Sequence, residues 1–173
     1  HALALDHYGE DHVDTLGYAN NLALRLRAVG DLQAARELDE GTLTRRRRIF
    51  GDDHPDTLSS ANNLAFCLTE AGENEAAREL DEDTLTRRRR VLGDDHPDTL
   101  RSAANLAVDL ARLGEHRAAR ELDEDILIRR QRVLGHDHPE TLRSARNLAA
   151  HLLALGEHEA ARELAESALA DCR

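Results

Sequence analysis

Apolar residues recur along this chain with the spacing of an α-helix. Between positions 97 and 134 they form two runs separated by Gly114. The first run has the period of about 3.6 residues that places side chains on one helix face: Leu100, Ala103, Leu106, Ala107, Leu110 and Leu113. The second has a similar stripe: Ala118, Ala119, Leu122, Ile126, Leu127 and Val133. Each run predicts one amphipathic helix with its apolar stripe buried.

Glycine and proline mark the ends of these helices. Gly114 stands where a glycine commonly ends a helix, and Glu115 opens the next helix at once. Pro97 fits the first turn of a helix, where its missing N–H is not needed, and it disfavours helix at His96. Because the connection at Gly114 is so short, the two helices are expected to lie antiparallel.

The same pattern occurs four times with a period of 42 residues. Leu16, Leu58, Leu100 and Leu142 are one such series. The period predicts an all-α stack of antiparallel helix pairs, in which each pair buries its apolar face against its neighbours. We expect eight helices and an N-terminal stub, divided as follows: 1–12 (the end of a preceding repeat and a linker), 13–54, 55–96, 97–138 and 139–173 (a truncated or terminal repeat). The chain looks cut from a longer array.

Several repeated residues carry a family resemblance. They are Asn62-Asn63-Leu64-Ala65, Gly72, Ala77, Leu85, Leu92-Gly93, Asp95 and Pro97. This set resembles the tetratricopeptide repeat (TPR) in the 42-residue form of kinesin light chains, as in bacterial arrays. The resemblance implies a right-handed superhelical solenoid whose first helices line a concave face.

Composition narrows the class of partner. The net charge of −11 disfavours nucleic acid as the main partner. Two cysteines give no disulfide framework, so we expect a reducing, cytoplasmic setting. No apolar run approaches the roughly 20 residues of a membrane span, so no membrane partner is expected.

Outward-facing residues of the first helices are the candidate binding site. Asn21, Asn63, Asn105 and Asn147 recur in one place, and an amide can both donate to and accept from a peptide backbone. Alternatively, each Asn ties its helix to the next repeat. The other candidates are Phe66, Arg101, Arg112, Arg143 and Arg146.

Arg101 and Arg143 each precede an Asn by four residues, which places arginine and amide on one helix face. Arginine binds carboxylates with two hydrogen bonds. The resemblance adds that some family members hold peptide carboxylates at matching positions. The alternative is that these arginines neutralise Asp98, Glu140 or Asp109.

Other charged positions are interpreted as structural. The arginine runs 45–48 and 87–90 and the broken run 129–132 are expected to be solvated at helix ends. His54, His96 and His138 are expected to pack in the loops before the prolines. Cys67 and His151 are expected to lean outward. We predict no catalytic residue, no metal site and no cofactor.

These features predict a protein–protein interaction module. Its groove would bind an extended or helical peptide segment with acidic side chains or a free carboxylate. One alternative is a sensor or regulatory segment of a larger signalling NTPase or transcription regulator. Another is a self-assembly scaffold joined end to end through apolar residues of both termini: Ala2, Leu3, Ala4, Leu5, Leu164, Ala165, Ala168 and Leu169.

Overall fold

The computed structural model describes residues 9–171, with side chains described as far as Ser167. These residues form eight α-helices and no β-strand: α1 (Val13–Ala28), α2 (Leu32–Phe50), α3 (Pro55–Glu70), α4 (Asn74–Leu92), α5 (Pro97–Arg112), α6 (His116–Leu134), α7 (Pro139–Ala154) and α8 (His158–Asp171). The predicted all-α fold is confirmed. The chain divides into two compact units, 1–87 and 88–173.

In the first unit, α2 packs against both α1 and α3. One core cluster joins Leu43 of α2 to Ala61, Leu64 and Leu68 of α3 and to Ala77. A second cluster brings α1, α2 and α3 together through Ala23, Ala35 and Cys67. Alanines at these contacts are fully buried, which lets the helix backbones approach closely.

The second unit repeats this arrangement. Helix α6 packs against α5 and α7, and α7 packs against α8. Leu127 of α6 shares a core cluster with Leu148 and Leu152 of α7 and with Ala161 of α8. Within each unit, therefore, helices contact mainly their neighbours along the chain, as expected for stacked helix pairs.

Histidine starts the first helix of every pair. The Nδ1 atoms of His12, His54, His96 and His138 accept hydrogen bonds from the backbone N–H two residues later, at 3.1–3.2 Å. An N-cap acceptor of this kind satisfies an N–H that the helix leaves unpaired. The histidines before the prolines are thus capping residues, a more specific role than the loop packing expected from the sequence.

Glycine ends the same helices. Gly114 has φ of +79°, a backbone conformation that glycine adopts without strain. It allows Glu115 N–H to donate to Leu110 O at 2.8 Å and Gly114 N–H to donate to Ala111 O at 3.0 Å. This pair of bonds is a Schellman motif, and it satisfies the last carbonyls of α5 while turning the chain into α6.

One arginine in each run is buried, contrary to the expectation that the runs are solvated. Arg46, Arg88 and Arg130 are 5%, 1% and 3% exposed. Each donates to a backbone carbonyl and to a serine hydroxyl of the following first helix: Asp56 and Ser60, Asp98 and Ser102, Glu140 and Ser144. Val133, expected in the buried stripe of α6, is 47% exposed. The long side chain of Arg130 reaches the neighbouring helix, whereas Val133, three residues later, lines an open cavity instead of packing in the core.

Candidate functional site

The outward face of the first unit holds three of the candidate residues. Asn21 of α1 is exposed, Asn63 of α3 is half-buried, and the Phe66 ring is 50% exposed. Leu24, at the same position in α1 as Phe66 in α3, is 58% exposed. This unit therefore presents apolar side chains next to amides.

The side chain of Arg27 contacts the ring of Phe66. Its guanidinium lies over the ring, 5.4 Å from the centroid, which is within the range of a cation–π contact. The same group donates to Asp39 Oδ2 at 2.7 Å and to Asn63 O at 3.0 Å. Because both side chains of the Arg27–Asp39 pair are almost completely buried, the ring rests on a fixed cation.

Burial dominates the electrostatics beneath this face. It raises the pKa of Asp39 to about 6, although the charge and hydrogen bond of Arg27 oppose the shift. Burial also raises the pKa of the Cys67 thiol. Cys67 is 0% exposed and its Sγ lies 3.6 Å from Leu32 O, so the expectation that it leans outward is wrong. It packs against Ala23 of α1 and Ala35 of α2 instead.

In the second unit, Arg101 and Arg143 line the walls of one cavity. The cavity has a volume of about 280 Å³ and is also lined by a third arginine and by acidic and apolar residues: Arg130, Asp95, Glu140, Pro97, Leu100, Val133 and Leu134. The structure thus brings together the two arginines singled out from sequence. Arg112 and Arg146 are exposed on α5 and α7, outside this lining.

Both arginines of the cavity already have an acidic neighbour. Arg101 pairs with Asp98 at 2.9 Å and Arg143 with Glu140 at 2.6 Å. All four side chains are at least one-third exposed. Exposed pairs of this kind contribute little net free energy, about 0–1 kcal/mol. An incoming carboxylate can therefore compete for either arginine at small cost.

The repeated asparagines keep their side-chain amides unpaired in the part of the chain that the structure describes. Within residues 9–171, no hydrogen bond is made by the amides of Asn21, Asn63, Asn105 or Asn147. Asn105 and Asn147 are half-buried on α5 and α7. The amides are consequently available as donors and acceptors to a peptide.

A second buried carboxylate lies between α6 and α7. Asp123 Oδ2 is 3.2 Å from His151 Nε2, and the His151 ring lies 6.4 Å from that of His116. Burial raises the pKa of Asp123 to about 7, against the lowering charge of Arg130. Burial and the neighbouring His116 lower the pKa of His151. His151 is 9% exposed, so it too lies inside the fold instead of leaning outward.

Sequence reasoning missed the buried polar contacts between neighbouring helices. A signal for them exists, because Arg46 precedes Ser60 by 14 residues and Arg130 precedes Ser144 by the same interval. The buried acids recur as well, at Asp39, Asp81 and Asp123. The recurrence of the arginine, the serine 14 residues later and the aspartate in each of these repeats is the sequence signal for such contacts.

Among residues 9–171, no group of three or more His, Cys, Asp or Glu side chains is arranged to hold a metal ion. No described helix combines the length and the apolar character needed to cross a membrane.

Comparison with known proteins decides the family. A family model for the tetratricopeptide repeat matches residues 14–87, 56–127 and 104–173. This chain belongs to the tetratricopeptide repeat family. TPR arrays generally mediate interactions between proteins, and the family consists of non-catalytic repeat scaffolds. No curated protein sequence is similar enough to the chain to count as a match.

Solved structures support the same assignment. A kinesin light chain-like protein of Podosopora anserina with nearly identical TPR-like repeats is 29% identical, with a TM-score of 0.83. A variant of that protein gives a TM-score of 0.85 at the same identity, and each match covers 98% of this chain and 80% of the other. BtubC of P. vanneervenii shares the fold at 22% identity and a TM-score of 0.81, over 89% of this chain and 61% of its own.

Proposed function

We propose that this TPR chain binds a peptide segment of another protein, carrying acidic side chains or a free carboxylate, along the outward faces of its first helices. The observation that carries the proposal is the cavity shared by Arg101 and Arg143. Two guanidinium groups on one small cavity can offer paired hydrogen bonds to a carboxylate.

The amides and the aromatic ring supply the other contacts. Asn21, Asn63, Asn105 and Asn147 would hold the peptide backbone, because their amides are unpaired in the described structure. Phe66 would hold an apolar side chain of the peptide, since an exposed ring fixed on Arg27 loses little conformational freedom on binding. Arg112 and Arg146 would attract acidic residues from the rim. We place this interaction in the cytoplasm.

The test is retention of peptides from a random library on the immobilised chain. We expect acidic peptides to be enriched and to elute as salt is raised, because exposed charges are screened. Arg101→Glu combined with Arg143→Glu should lower the affinity for the enriched peptides by about tenfold or more. The helicity of the chain should stay unchanged. Phe66→Ala should lower the affinity for apolar peptides that the arginine double variant still retains.

A matched control carries the same change in net charge elsewhere. Arg89 and Arg162 are exposed on α4 and α8, and Arg89→Glu with Arg162→Glu should retain the acidic peptides. Equal retention by the two double variants would contradict the proposed site.

A further inference from the structure

The cavity lined by Arg101 and Arg143 already contains a carboxylate of the chain itself. Glu140 is part of its lining, and the Glu140 side chain is 40% exposed. The Oε2 atom of Glu140 lies 2.6 Å from Nη2 of Arg143 and 3.2 Å from Nη2 of Arg130. One oxygen of Glu140 is therefore shared by two guanidinium groups.

Arg130 is the fixed member of this group. Its side chain is 3% exposed, and its Nη1 atom donates to Glu140 O at 3.0 Å and to Ser144 Oγ at 2.8 Å. Burial lowers the pKa of the Arg130 guanidinium, and the charge of Glu140 opposes that shift. A buried cation is costly to the fold when no anion lies beside it. The Glu140 carboxylate is that anion at the cavity.

The matching position of the first unit lacks this bridge. Asp56 stands in the place of Glu140. Arg46 donates to Asp56 O and to Ser60 Oγ, both at 2.9 Å, which are the same backbone and serine contacts that Arg130 makes. Among the residues that the structure describes, however, the Asp56 carboxylate makes no ion pair with Arg46. Aspartate is one methylene shorter than glutamate, so the bridge depends on the length of Glu140.

The other acid in the lining of the cavity is Asp95. Its carboxylate pairs with Arg129 and Arg132 near the end of α6. These two arginines are not part of the lining. Glu140 is therefore the acid of the lining that pairs with the arginines of the cavity.

Building on the function proposed above, we infer that Glu140 occupies the position of a ligand carboxylate in this cavity, and that a ligand binds there by displacing it from Arg143 and Arg130. Displacement leaves the buried Arg130 without the anion at Nη2, so the carboxylate of the ligand has to take over that contact. Arg130 thus becomes a contact of the ligand, and Glu140 sets the affinity of the cavity.

This competition also selects the ligand by charge. A neutral side chain cannot replace a carboxylate between two guanidinium groups, so it leaves Glu140 in place. A carboxylate of the ligand can replace it, because the partly exposed Glu140 side chain can move into solvent. The cavity therefore discriminates against apolar side chains, although Pro97, Leu100 and Val133 line it.

The first test measures the affinity of the chain for a labelled acidic peptide. The probe has eight residues in which glutamate alternates with glycine, and fluorescence anisotropy measures its binding. Glu140→Gln should raise the affinity by about three- to tenfold, because the peptide no longer competes with a carboxylate of the chain. In an Arg143→Gln background, the same substitution should change the affinity by less than about twofold.

Glu159→Gln is the matched control. Glu159 is exposed and stands in the first turn of α8, as Glu140 stands in the first turn of α7. The control removes the same charge outside the lining of the cavity, so the affinity should stay within about twofold of wild type. An equal gain for the two variants, or no gain for Glu140→Gln, would overturn the role of Glu140 and leave the proposed peptide site intact.

A second measurement needs no peptide. Malonate, a small dicarboxylate, is compared with chloride at equal ionic strength in thermal unfolding. Because an anion bound to the folded state stabilises it, malonate should raise the melting temperature of Glu140→Gln by roughly 1–3 °C more than that of wild type. Adding Arg143→Gln should remove this difference.

The two measurements separate the inference from the function on which it rests. A peptide that binds neither wild type nor Glu140→Gln would contradict the proposed function. The larger malonate shift of Glu140→Gln would still support Glu140 as the occupant of the cavity. Equal malonate shifts in wild type and Glu140→Gln would overturn that role.

Discussion

Buried charge is the main feature of this protein at the residue scale. Asp39 and Asp123 occupy the same position in α2 and α6, but their surroundings differ. Asp39 is paired with the guanidinium of Arg27, whereas Asp123 contacts the imidazole of His151. Neutralising an aspartate that is paired with a buried arginine leaves that arginine without a counter-ion. Neutralising an aspartate that contacts an imidazole does not.

The first prediction concerns Asp123→Asn. The pKa of Asp123 is about 7 in the folded chain, above the ordinary value of 3.8. Protonation of the Asp123 carboxyl therefore stabilises the folded state. This stabilisation is fully present below about pH 4 and is lost as the pH rises through 7. Asparagine avoids the buried charge, so the variant should be more stable than wild type at pH 8. That advantage should shrink by about 2 kcal/mol at pH 5.5, as measured by urea unfolding.

Asp39→Asn is the matched comparison. It leaves the buried Arg27 without its counter-ion, which offsets the benefit of removing a buried carboxylate whose pKa is about 6. At pH 8 Asp39→Asn should therefore be less stable than Asp123→Asn. Equal effects of the two substitutions at pH 8 would contradict the role assigned to Arg27.

At the scale of the helix, local sequence explains both ends of each first helix. Pro97 removes a donor that the first turn does not use, and His96 accepts from Asp98 N–H. Gly114 then supplies the positive φ for the turn. The positions of these helices could be predicted from sequence because each signal acts within a few residues.

The second prediction tests the histidine cap. His96→Ala should lower the free energy of unfolding by about 1 kcal/mol, because the N–H of Asp98 loses its acceptor. His96→Asn should restore most of the loss, since asparagine is a good N-cap residue. His158→Ala is the control, an exposed histidine on α8 that should change stability by less than about 0.5 kcal/mol. Thermal unfolding followed by circular dichroism gives all three values.

At the scale of the whole molecule, the helices of each unit contact mainly the helices next to them in sequence. Leu148 is 6% exposed and joins α6, α7 and α8 in one cluster. Because this residue links three consecutive helices, truncating it should destabilise mainly the helices that it contacts.

The third prediction is that Leu148→Ala destabilises its unit by about 3 kcal/mol through the cavity that it leaves. Amide hydrogen exchange should accelerate most in α6, α7 and α8, and less in α1 and α2. Leu153→Ala, at a site 52% exposed on α7, should change stability by less than about 0.5 kcal/mol. Uniform acceleration over all helices would contradict the nearest-neighbour description.

The sequence alone determined the helix pairs, their order, their turns and the family, because a 42-residue period and 3.6-residue stripes are local patterns repeated four times. It also singled out Arg101 and Arg143, which line one cavity in the structure. Only the tertiary structure decided that Arg46, Arg88 and Arg130 are buried while the other arginines of these runs are exposed or partly exposed. It likewise decided that Cys67 and His151 face inward, beside acids carried by other helices. These outcomes depend on how one helix is rotated against the next, and residues 14 to 28 positions apart meet only after the helices have packed.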